Sequence, residues 1–143
     1  MTALPEPPPT DHSGLRVLDL TQCLDLLRSV PVGRFAFDLD GELSVLPVAH
    51  VVDHLDVCFR TAGDSKIGAA ADHERVAFEA DAYDARTRTG WSVLVQGTAE
   101  IVHDVAATER LEALTPQWWL PPADRPRRWV RVRAASVTGR SLG

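Results

Sequence analysis

The segment from Phe59 to Lys66, FRTAGDSK, contains the residue types that bind an anion. A β-rich run ends at Thr61, and Gly63 permits a tight turn. Ser65 and Lys66 then begin a short helical stretch. Hydroxyl groups, free N–H groups at a helix start and an ammonium group are common phosphate ligands. The spacing therefore indicates a phosphate site, although an ordinary strand–turn–helix connection with a solvated lysine explains these residues about equally well.

Other chemistries have weaker support in the sequence. The segment lacks the longer GxxxxGK(S/T) spacing of a Walker loop, so nucleotide hydrolysis is not indicated. His50 and His54 are four residues apart, a spacing that suits a metal on a helix, but they fall in a β-rich stretch, and we predict no metal site. Glu79 and Asp81 alternate with apolar residues, so we expect solvated carboxylates on an outward strand face.

Six β-rich runs and three short helical stretches position this segment. The expected strands cover residues 32–37, 43–52, 55–61, 75–82, 91–102 and 128–137, and the expected helices begin near Thr21, Ser65 and Val105. Turn residues at Asp40–Gly41 and Asp53–His54 join the first three runs into an antiparallel meander. Pro47 has no backbone N–H group, so it marks a sheet edge, a bulge or a place where the ladder opens. These elements predict a mainly β chain that folds as a small antiparallel barrel.

Length and composition limit the possible function classes. The chain has 143 residues, which fits one domain. Its proline-rich start predicts a flexible leader over residues 1–14, followed by a domain over residues 15–143. No apolar run approaches the ~20 residues of a transmembrane helix, and the start lacks the features of a secretory signal, so we expect a cytoplasmic protein with no membrane partner. We expect Cys23 and Cys58 to be small core residues.

Charge is distributed unevenly along the chain. The formal net charge is −5, and the basic residues are all arginines except Lys66. Residues 110–143 are rich in arginine, but these arginines lie in a strand-like pattern beside an acidic body. We therefore expect an anion site or a subunit contact here, and no nucleic-acid partner. Trp118 and Trp119, which lie between two prolines, are expected to fill a hydrophobic gap or to contact a second subunit.

Five blocks of this sequence resemble, in the same order, the pyridoxamine 5'-phosphate oxidase-like, flavin-binding split-barrel family. The blocks are Gly33–Phe37 (GRFAF), Val45–Val48 (VLPV), Phe59–Thr61 with Ser65–Lys66 (FRT and SK), Gly90–Glu100 (GWSVLVQGTAE) and Val137–Arg140 (VTGR). The resemblance covers nearly the whole expected domain. It implies a mainly β, six-stranded antiparallel split β-barrel with a few short helices. It also implies a homodimer with two flavin mononucleotide (FMN) sites at the subunit interface.

The resemblance implies a set of cofactor-binding residues. They are Pro47, Val48, Ala49, His50, Arg60, Thr61, Ser65, Lys66, Trp91, Ser92 and Arg140. The backbone of residues 47–50 would face the isoalloxazine ring of the flavin. Thr61, Ser65 and Lys66 would hold its phosphate, and Arg60 would lie nearby.

The resemblance implies further contacts from the second half of the chain. Trp91 and Ser92 would contact the flavin, often across the dimer, and Arg140 would lie within reach of it. Ser92 stands where the oxidases themselves carry an amide side chain. The basic residues that recognise a pyridoxal phosphate group have no clear match. The sequence therefore resembles the family more closely than it resembles the oxidase that gives the family its name.

Together these features predict an FMN-dependent oxidoreductase that acts on an unidentified small molecule. Members of this superfamily also bind the deazaflavin F420 or haem, so an F420-dependent reductase is one alternative. A non-catalytic flavin- or cofactor-binding protein, with a role in storage or sensing, is another. Because a flavin carries the redox chemistry itself while the protein supplies binding and electrostatics, we assign no catalytic side chain.

Overall fold

Six strands close into a ring, which confirms the predicted mainly β antiparallel barrel. The computed structural model describes residues 6–62, 65–116 and 127–143, so Gly63 and the Trp118–Trp119 pair lie outside the described residues. The strands are β1 (Arg16–Val17), β2 (Val32–Leu39), β3 (Glu42–Asp53), β4 (Asp56–Ala62), β5 (Arg75–Asp84), β6 (Thr89–Ile101) and β7 (Arg127–Leu142). The helices are α1 (Leu20–Ser29), α2 (Lys66–Ala71) and α3 (Val105–Leu114).

The ring consists entirely of antiparallel neighbours. The order along the sheet is β1-β7-β4-β3-β2-β5-β6, and β6 also pairs with β7, so β2 to β7 close on themselves. β2, β3 and β4 form the predicted meander. The six predicted runs correspond to β2 to β7, with differences at their ends. The sequence did not indicate β1, because two exposed residues are too few to show an alternating pattern.

Alternating side chains build the core inside the ring. Phe35, Phe59 and Phe78 are fully buried, and the ring centroids of Phe35 and Phe59 are 4.7 Å apart. α1 adds Cys23 and Leu27, which are also fully buried, to the same core. Burial of each large apolar side chain contributes about 1.5–3 kcal/mol. The barrel is therefore stabilised mainly from its interior.

The helices are short. Those among the described residues have at most ten residues, about half the length that a helix needs to cross a bilayer. α1 begins after Asp19, and the prediction that Thr21 caps it is wrong. The Asp19 carboxylate accepts the Gln22 N–H at 2.8 Å, and the Gln22 side-chain oxygen accepts the Asp19 N–H at 2.9 Å. This reciprocal capping box satisfies two donors at once, so it fixes the N-cap at Asp19 and the helix start at Leu20.

α3 covers the outer face of β3, β4 and β7. Val51, Cys58 and Trp129 point outward from these strands and pack with Leu111 of α3 in a second apolar cluster. Beside that cluster, the nearly buried Asp53 carboxylate accepts hydrogen bonds from Arg110 of α3 and from Arg131 of β7, both at 2.8 Å. The helix is thus attached to the barrel by apolar packing and by a shared carboxylate.

The outer face of β2, β5 and β6, together with the adjoining parts of β3 and β7, carries no helix among the described residues. We call it the uncovered face. Its exposed apolar side chains include Leu43 (88% exposed), Val45 (63%), Val32 (45%) and Leu94 (36%). A groove of about 630 Å³ runs across it beside Val45. Exposed apolar residues concentrated on one sheet face are typical of an interaction surface.

β7 contains a β-bulge that shifts the alternation of its inward and outward side chains. Gln96 and Gly97 of β6 are opposite Ser136 and Ala134, so Ala135 is the extra residue. Before the bulge the inward residues of β7 are even-numbered, such as Val130 and Val132, and after it they are odd-numbered, such as Val137. The bulge thereby keeps apolar side chains inward along the whole strand.

Part of the expected leader lies against the barrel. Pro9 O accepts the Val17 N–H at 2.7 Å, and Thr10 forms an isolated bridge with Arg16. The Asp11 carboxylate lies 3.1 Å from Arg140 of β7. Residues 9–17 therefore form a small hairpin at the β7 edge. The division into a flexible leader and a domain beginning at residue 15 stays a prediction.

Replacement of Gly97 should destabilise the barrel at the bulge. A Cβ atom there would overlap the carbonyl group of Arg133, which is backbone and cannot move away cheaply. We expect Gly97→Ala to lower the free energy of unfolding by about 1–3 kcal/mol or more, measured by urea titration. Gly68→Ala is the control, because its Cβ would meet neighbours only at 3.7–3.9 Å inside α2. That variant should be unchanged or more stable by up to about 1 kcal/mol, and equal losses in both variants would contradict the bulge geometry.

Replacement of Asp53 should show that its ion pairs support the fold. Burial alone would raise the pKa of Asp53, but hydrogen bonds from Arg110 and Arg131 outweigh it and hold the pKa below its usual value. Asp53→Asn leaves Arg131 without its main buried partner, and we expect a loss of about 3–5 kcal/mol at neutral pH by urea titration.

The pH dependence and an exposed pair provide the checks on this prediction. The ionised Asp53 carboxylate contributes fully to the free energy of unfolding above about pH 4. This contribution is lost as the pH falls through the lowered pKa of Asp53 in the folded state. The difference in the free energy of unfolding between the wild type and Asp53→Asn should therefore become smaller in acid. Asp25→Asn, which removes a 3.5 Å pair with Arg28 at the surface, should cost less than about 1 kcal/mol. A comparable loss in both variants would argue against the role of burial.

Candidate functional site

The ladder between β3 and β4 stops partway along both strands. It runs from the Asp53–Asp56 pair to the His50–Phe59 pair and goes no further. Beyond that point, residues 47–49 of β3 pair only with β2, and residues 60–62 of β4 pair only with β7. The two strands therefore separate and leave an open split in the barrel wall. The candidate residues 47–49 line it on the β3 side and Arg60 and Thr61 on the β4 side, while His50 belongs to the last pair of the ladder.

Hydrogen-bond alternation shows which backbone groups face the split. In an antiparallel ladder, alternate residues direct their N–H and C=O groups to the same neighbour. The His50 N–H donates to the carbonyl of Pro31, on the β2 side. Ala49 therefore directs its backbone groups toward β4, where the opposite position is Arg60. The ladder ends at the His50–Phe59 pair, so the rung at Ala49 and Arg60 is incomplete, and the Ala49 N–H and the Arg60 C=O face the split.

Pro47 fits this opening. It is opposite Arg34 of β2 and has the same parity as Ala49, so its backbone nitrogen points toward the split. A proline nitrogen carries no hydrogen and would leave a gap in a continuous ladder. Of the three alternatives that the sequence left at this position, the structure shows the open ladder.

The predicted phosphate ligands lie at the β4 side of the split. The Thr61 Oγ1 atom is buried and has no hydrogen-bond partner among the described residues. The Ser65 hydroxyl accepts the Ile67 N–H at 3.2 Å, so it caps α2. Lys66 is exposed, and the described part of the chain offers it no ion pair. A buried orphan hydroxyl and an unpaired cation in neighbouring positions suit an anion.

Arg60 points to the opposite face of β4. Its guanidinium lies 3.0 Å from Glu112 of α3 and 5.2 Å from the ring centroid of Trp129. Glu112 also accepts the Trp129 Nε1–H at 2.8 Å. The structure thus brings the Arg60 backbone to the split but commits its side chain to a cluster under α3. Glu112 was missed by the sequence analysis, because 52 residues separate it from Arg60 and no local pattern connects them.

His50 holds the strand beside the split in place. Its side chain is 3% exposed, and its Nε2–H donates to the Leu27 carbonyl at 2.8 Å. That carbonyl lies in the last turn of α1, where carbonyl groups have no hydrogen-bond partner within the helix. Burial lowers the pKa of His50, although the hydrogen bond to Leu27 opposes it. The neutral imidazole therefore ties α1 to β3, and both the Nε2–H and the backbone N–H of His50 are committed to partners away from the split.

Trp91, Ser92 and Arg140 lie apart from the split. Ser92 is opposite Arg140, and both belong to the β6–β7 pair. β6 lies three strands from β3 in either direction around the ring, and Arg140 is eight residues beyond the part of β7 that pairs with β4. Within one chain the structure does not bring these residues to the split.

Two other features lie close to the candidate residues. A cavity of about 380 Å³ lies between the end of α1, residues 50–52 of β3 and Leu114. It borders the edge of β3 that faces away from β4, so it is separate from the split. In the ranges 6–62, 65–116 and 127–143, no group of three or more His, Cys, Asp or Glu side chains is arranged to hold a metal ion.

Comparisons with known proteins give a family match and similar structures. The sequence model of the pyridoxamine 5'-phosphate oxidase family matches residues 19–141. The structure of an FAD-binding protein from Mycobacterium smegmatis is 37% identical, with a TM-score of 0.75 over 89% of this chain and 99% of that one. A conserved protein from Corynebacterium diphtheriae is 30% identical, with a TM-score of 0.74 over 90% and 98% of the two chains. The uncharacterized protein Rv0080 of Mycobacterium tuberculosis is 37% identical in an alignment of 106 residues that covers 71% of this chain and 70% of that protein.

The family match spans the barrel from the cap of α1 almost to the end of β7. It includes all the residues that line the split. The fold, the order of the sequence blocks and the match agree, and the chain belongs to the pyridoxamine 5'-phosphate oxidase family.

Proposed function

We propose that this protein is a homodimeric flavoprotein that uses FMN as the cofactor of an oxidoreductase acting on a small molecule. The split carries the proposal, because the Ala49 N–H and the Arg60 C=O face it beside the orphan Thr61 hydroxyl and the exposed Lys66. Family membership and the 37% identity to an FAD-binding protein support a flavin. The cytoplasmic location and the absence of nucleic-acid and membrane partners stay predictions.

The residues at the split fit the two ends of a flavin nucleotide. Thr61 and Lys66 supply a hydroxyl and an ammonium group for a phosphate, and charge-assisted hydrogen bonds are the stronger kind. On the β3 side, the Ala49 N–H is a donor that suits the polar edge of the flavin ring. A donor held by a rigid strand stabilises negative charge on the reduced ring without reorganisation.

When bound, a flavin would supply the redox chemistry, and this chain's residues would supply binding and orientation. His50 has its Nε2–H committed to Leu27, so it positions β3 and exchanges no proton with a substrate. Among the described residues that line the split, no other histidine or carboxylate is positioned as an acid or base. That observation also favours the second candidate function, a flavin-binding protein without turnover. Oxidation of reduced nicotinamide or reduced F420 by the loaded protein, with an acceptor present, separates the two.

A second copy of the chain is the partner that the site requires. The resemblance assigns Trp91, Ser92 and Arg140 to the flavin, yet in one chain Trp91 and Ser92 lie three strands from Ala49, and Arg140 lies at the far end of β7 from β4. Pro47 and Ala49 lie at the edge of the uncovered face, so a chain docked on that face reaches the split. The exposed apolar side chains there, such as Val45 and Leu43, give a two-fold interface its contact area. A stable dimer of this kind buries on the order of 2,000 Å² or more.

We expect the phosphate ligands to distinguish FMN from riboflavin. Lys66→Ala should weaken FMN binding by roughly ten- to a hundredfold, because a charge-assisted contact contributes about 1.5–3 kcal/mol. Thr61→Val should weaken it by about fivefold, since it removes one hydroxyl contact. Both variants should bind riboflavin as the wild type does. Fluorescence titration with FMN, FAD, F420 and riboflavin measures these affinities and identifies the preferred cofactor.

The controls for this titration come from the same chain. Arg86→Ala removes an exposed cation in the β5–β6 turn, away from the split, and should leave FMN affinity unchanged. Thr61→Val should keep the wild-type melting temperature, because the hydroxyl that it removes has no partner in the described structure. Equal affinity of the wild-type protein for FMN and riboflavin would refute the phosphate assignment.

We expect a charge on the uncovered face to break the dimer. Val45→Asp places a carboxylate on an apolar side chain that is 63% exposed in one chain, and we expect a monomer by light scattering at micromolar concentration. Val105→Asp is the matched control, because Val105 is 70% exposed on α3, away from this face. It should remain a dimer. A wild-type monomer with FMN present, or dissociation by the control variant alone, would contradict the proposed interface.

A further inference from the structure

One cation and two carboxylates occupy the middle of the uncovered face. Arg34 of β2 is directly opposite Glu79 of β5, and Asp81 follows two residues later on the same face. The Arg34 Nη1 atom lies 3.6 Å from Glu79 Oε1 and 3.3 Å from Asp81 Oδ2. With both carboxylates ionised, this cluster carries a net charge of −1.

The neighbours of the cluster supply no compensating charge. Pro47 of β3 is opposite Arg34, Leu94 of β6 is opposite Glu79, and Ser92 of β6 is opposite Asp81. Pro47 and Leu94 are apolar and Ser92 is neutral. The cluster therefore has the single cation Arg34 as its counter-charge.

The next charged groups on this face are more distant. They are Asp38 and Arg75, four residues along the strands from Arg34 and Glu79, and Arg140, whose guanidinium is paired with Asp11 beside His12. Among the other described histidines, His50 is in the barrel interior, and His54, His73 and His103 line a charged cleft at another part of the barrel. Glu79 and Asp81 are thus the acidic pair that a partner on this face would cover.

Water is already partly excluded from Glu79 in the single chain. Its Oε1 atom is buried without a hydrogen-bond partner, although the side chain as a whole is 35% exposed. Burial, a hydrogen bond with Asp81 and the charge of Asp81 raise the pKa of Glu79 to about 7, against the lowering effect of Arg34. A second chain would remove the water that still solvates both carboxylates.

We propose that the homodimer forms with uptake of a proton by the Glu79–Asp81 pair, so that the two chains associate more tightly as the pH falls through neutrality. This inference rests on the proposed homodimer and on the uncovered face as its interface. With one proton, Glu79 donates an O–H hydrogen bond to Asp81, and the remaining charge is balanced by Arg34. The cluster then enters the interface with no net charge, which removes the largest cost of burying it.

The direction of the effect follows from proton linkage. The dimer holds the proton more tightly than the free chain does, so association gains from each fall in pH until the free chain is protonated as well. Since the pKa of Glu79 in the single chain is about 7, the dimer should become tighter as the pH falls toward 7 and should change little below about pH 6. Uptake of one proton per chain limits the change in the dissociation constant to about a hundredfold per pH unit.

Sedimentation velocity with fluorescence detection, from nanomolar to micromolar protein at constant ionic strength, tests the inference. Between about pH 9 and about pH 6 the dissociation constant of the wild-type dimer should fall by roughly tenfold or more. Glu79→Gln imitates the protonated carboxyl, so it should associate tightly at both pH values with little pH dependence. Asp81→Asn leaves one carboxylate facing Arg34 and should behave in the same way. Glu74→Gln, which changes an exposed carboxylate before the start of β5, should keep the wild-type pH dependence.

The possible results distinguish the homodimer from the proton uptake that accompanies it. A wild-type chain that is monomeric at every concentration and pH refutes the homodimer itself. A dimer whose dissociation constant is the same at both pH values overturns the proton uptake but leaves the homodimer intact. A pH dependence that persists in Glu79→Gln and Asp81→Asn assigns the proton to another group and also overturns the inference.

Discussion

The end of the β3–β4 ladder at His50 and Phe59 determines how the rest of the molecule is used. Backbone groups that leave a ladder must find other partners or face water or a ligand. Here the barrel stays closed because β3 keeps β2 and β4 keeps β7 beyond that point. The wall therefore opens without unfolding, and the incomplete rung at Ala49 and Arg60 lies between two rigid strands. A ligand that binds there meets the Ala49 N–H already in place, which lowers the entropy that binding must overcome.

The two outer faces of the barrel differ because only one of them meets a helix. Under α3, Asp53 and Arg131 are buried together, and each satisfies the other. On the uncovered face, Arg34 has two acidic neighbours and the exposed apolar residues have no cover. The first face is therefore complete within one chain. The second has the composition of an interface, where charge must be balanced by a partner or by a proton.

Much of the fold could be predicted because alternation of apolar and polar residues is a local signal. It gave the six ring strands, and Pro47 marked the opening of the ladder. The start of α1 was misplaced at Thr21 because the cap at Asp19 depends on the reciprocal bond with Gln22, which competes directly with the nearby threonine. The proposed phosphate ligands Thr61 and Lys66 were visible because they are close in sequence. The Arg60–Glu112 pair was not, since it depends on how α3 packs onto the barrel.

The single extra residue Ala135 shifts the inward–outward alternation of side chains in β7 by one position. Before it, even-numbered side chains enter the barrel interior, and after it, odd-numbered ones do. Without the bulge, the same sixteen residues would alternate regularly, which would turn Val137 and Gly139 outward and place Thr138 and Arg140 in the barrel interior. Loss of Ala135 would remove the bulge and the extra residue together, so Val137 and Gly139 would stay inward. The bulge and the length of this strand can therefore change only together.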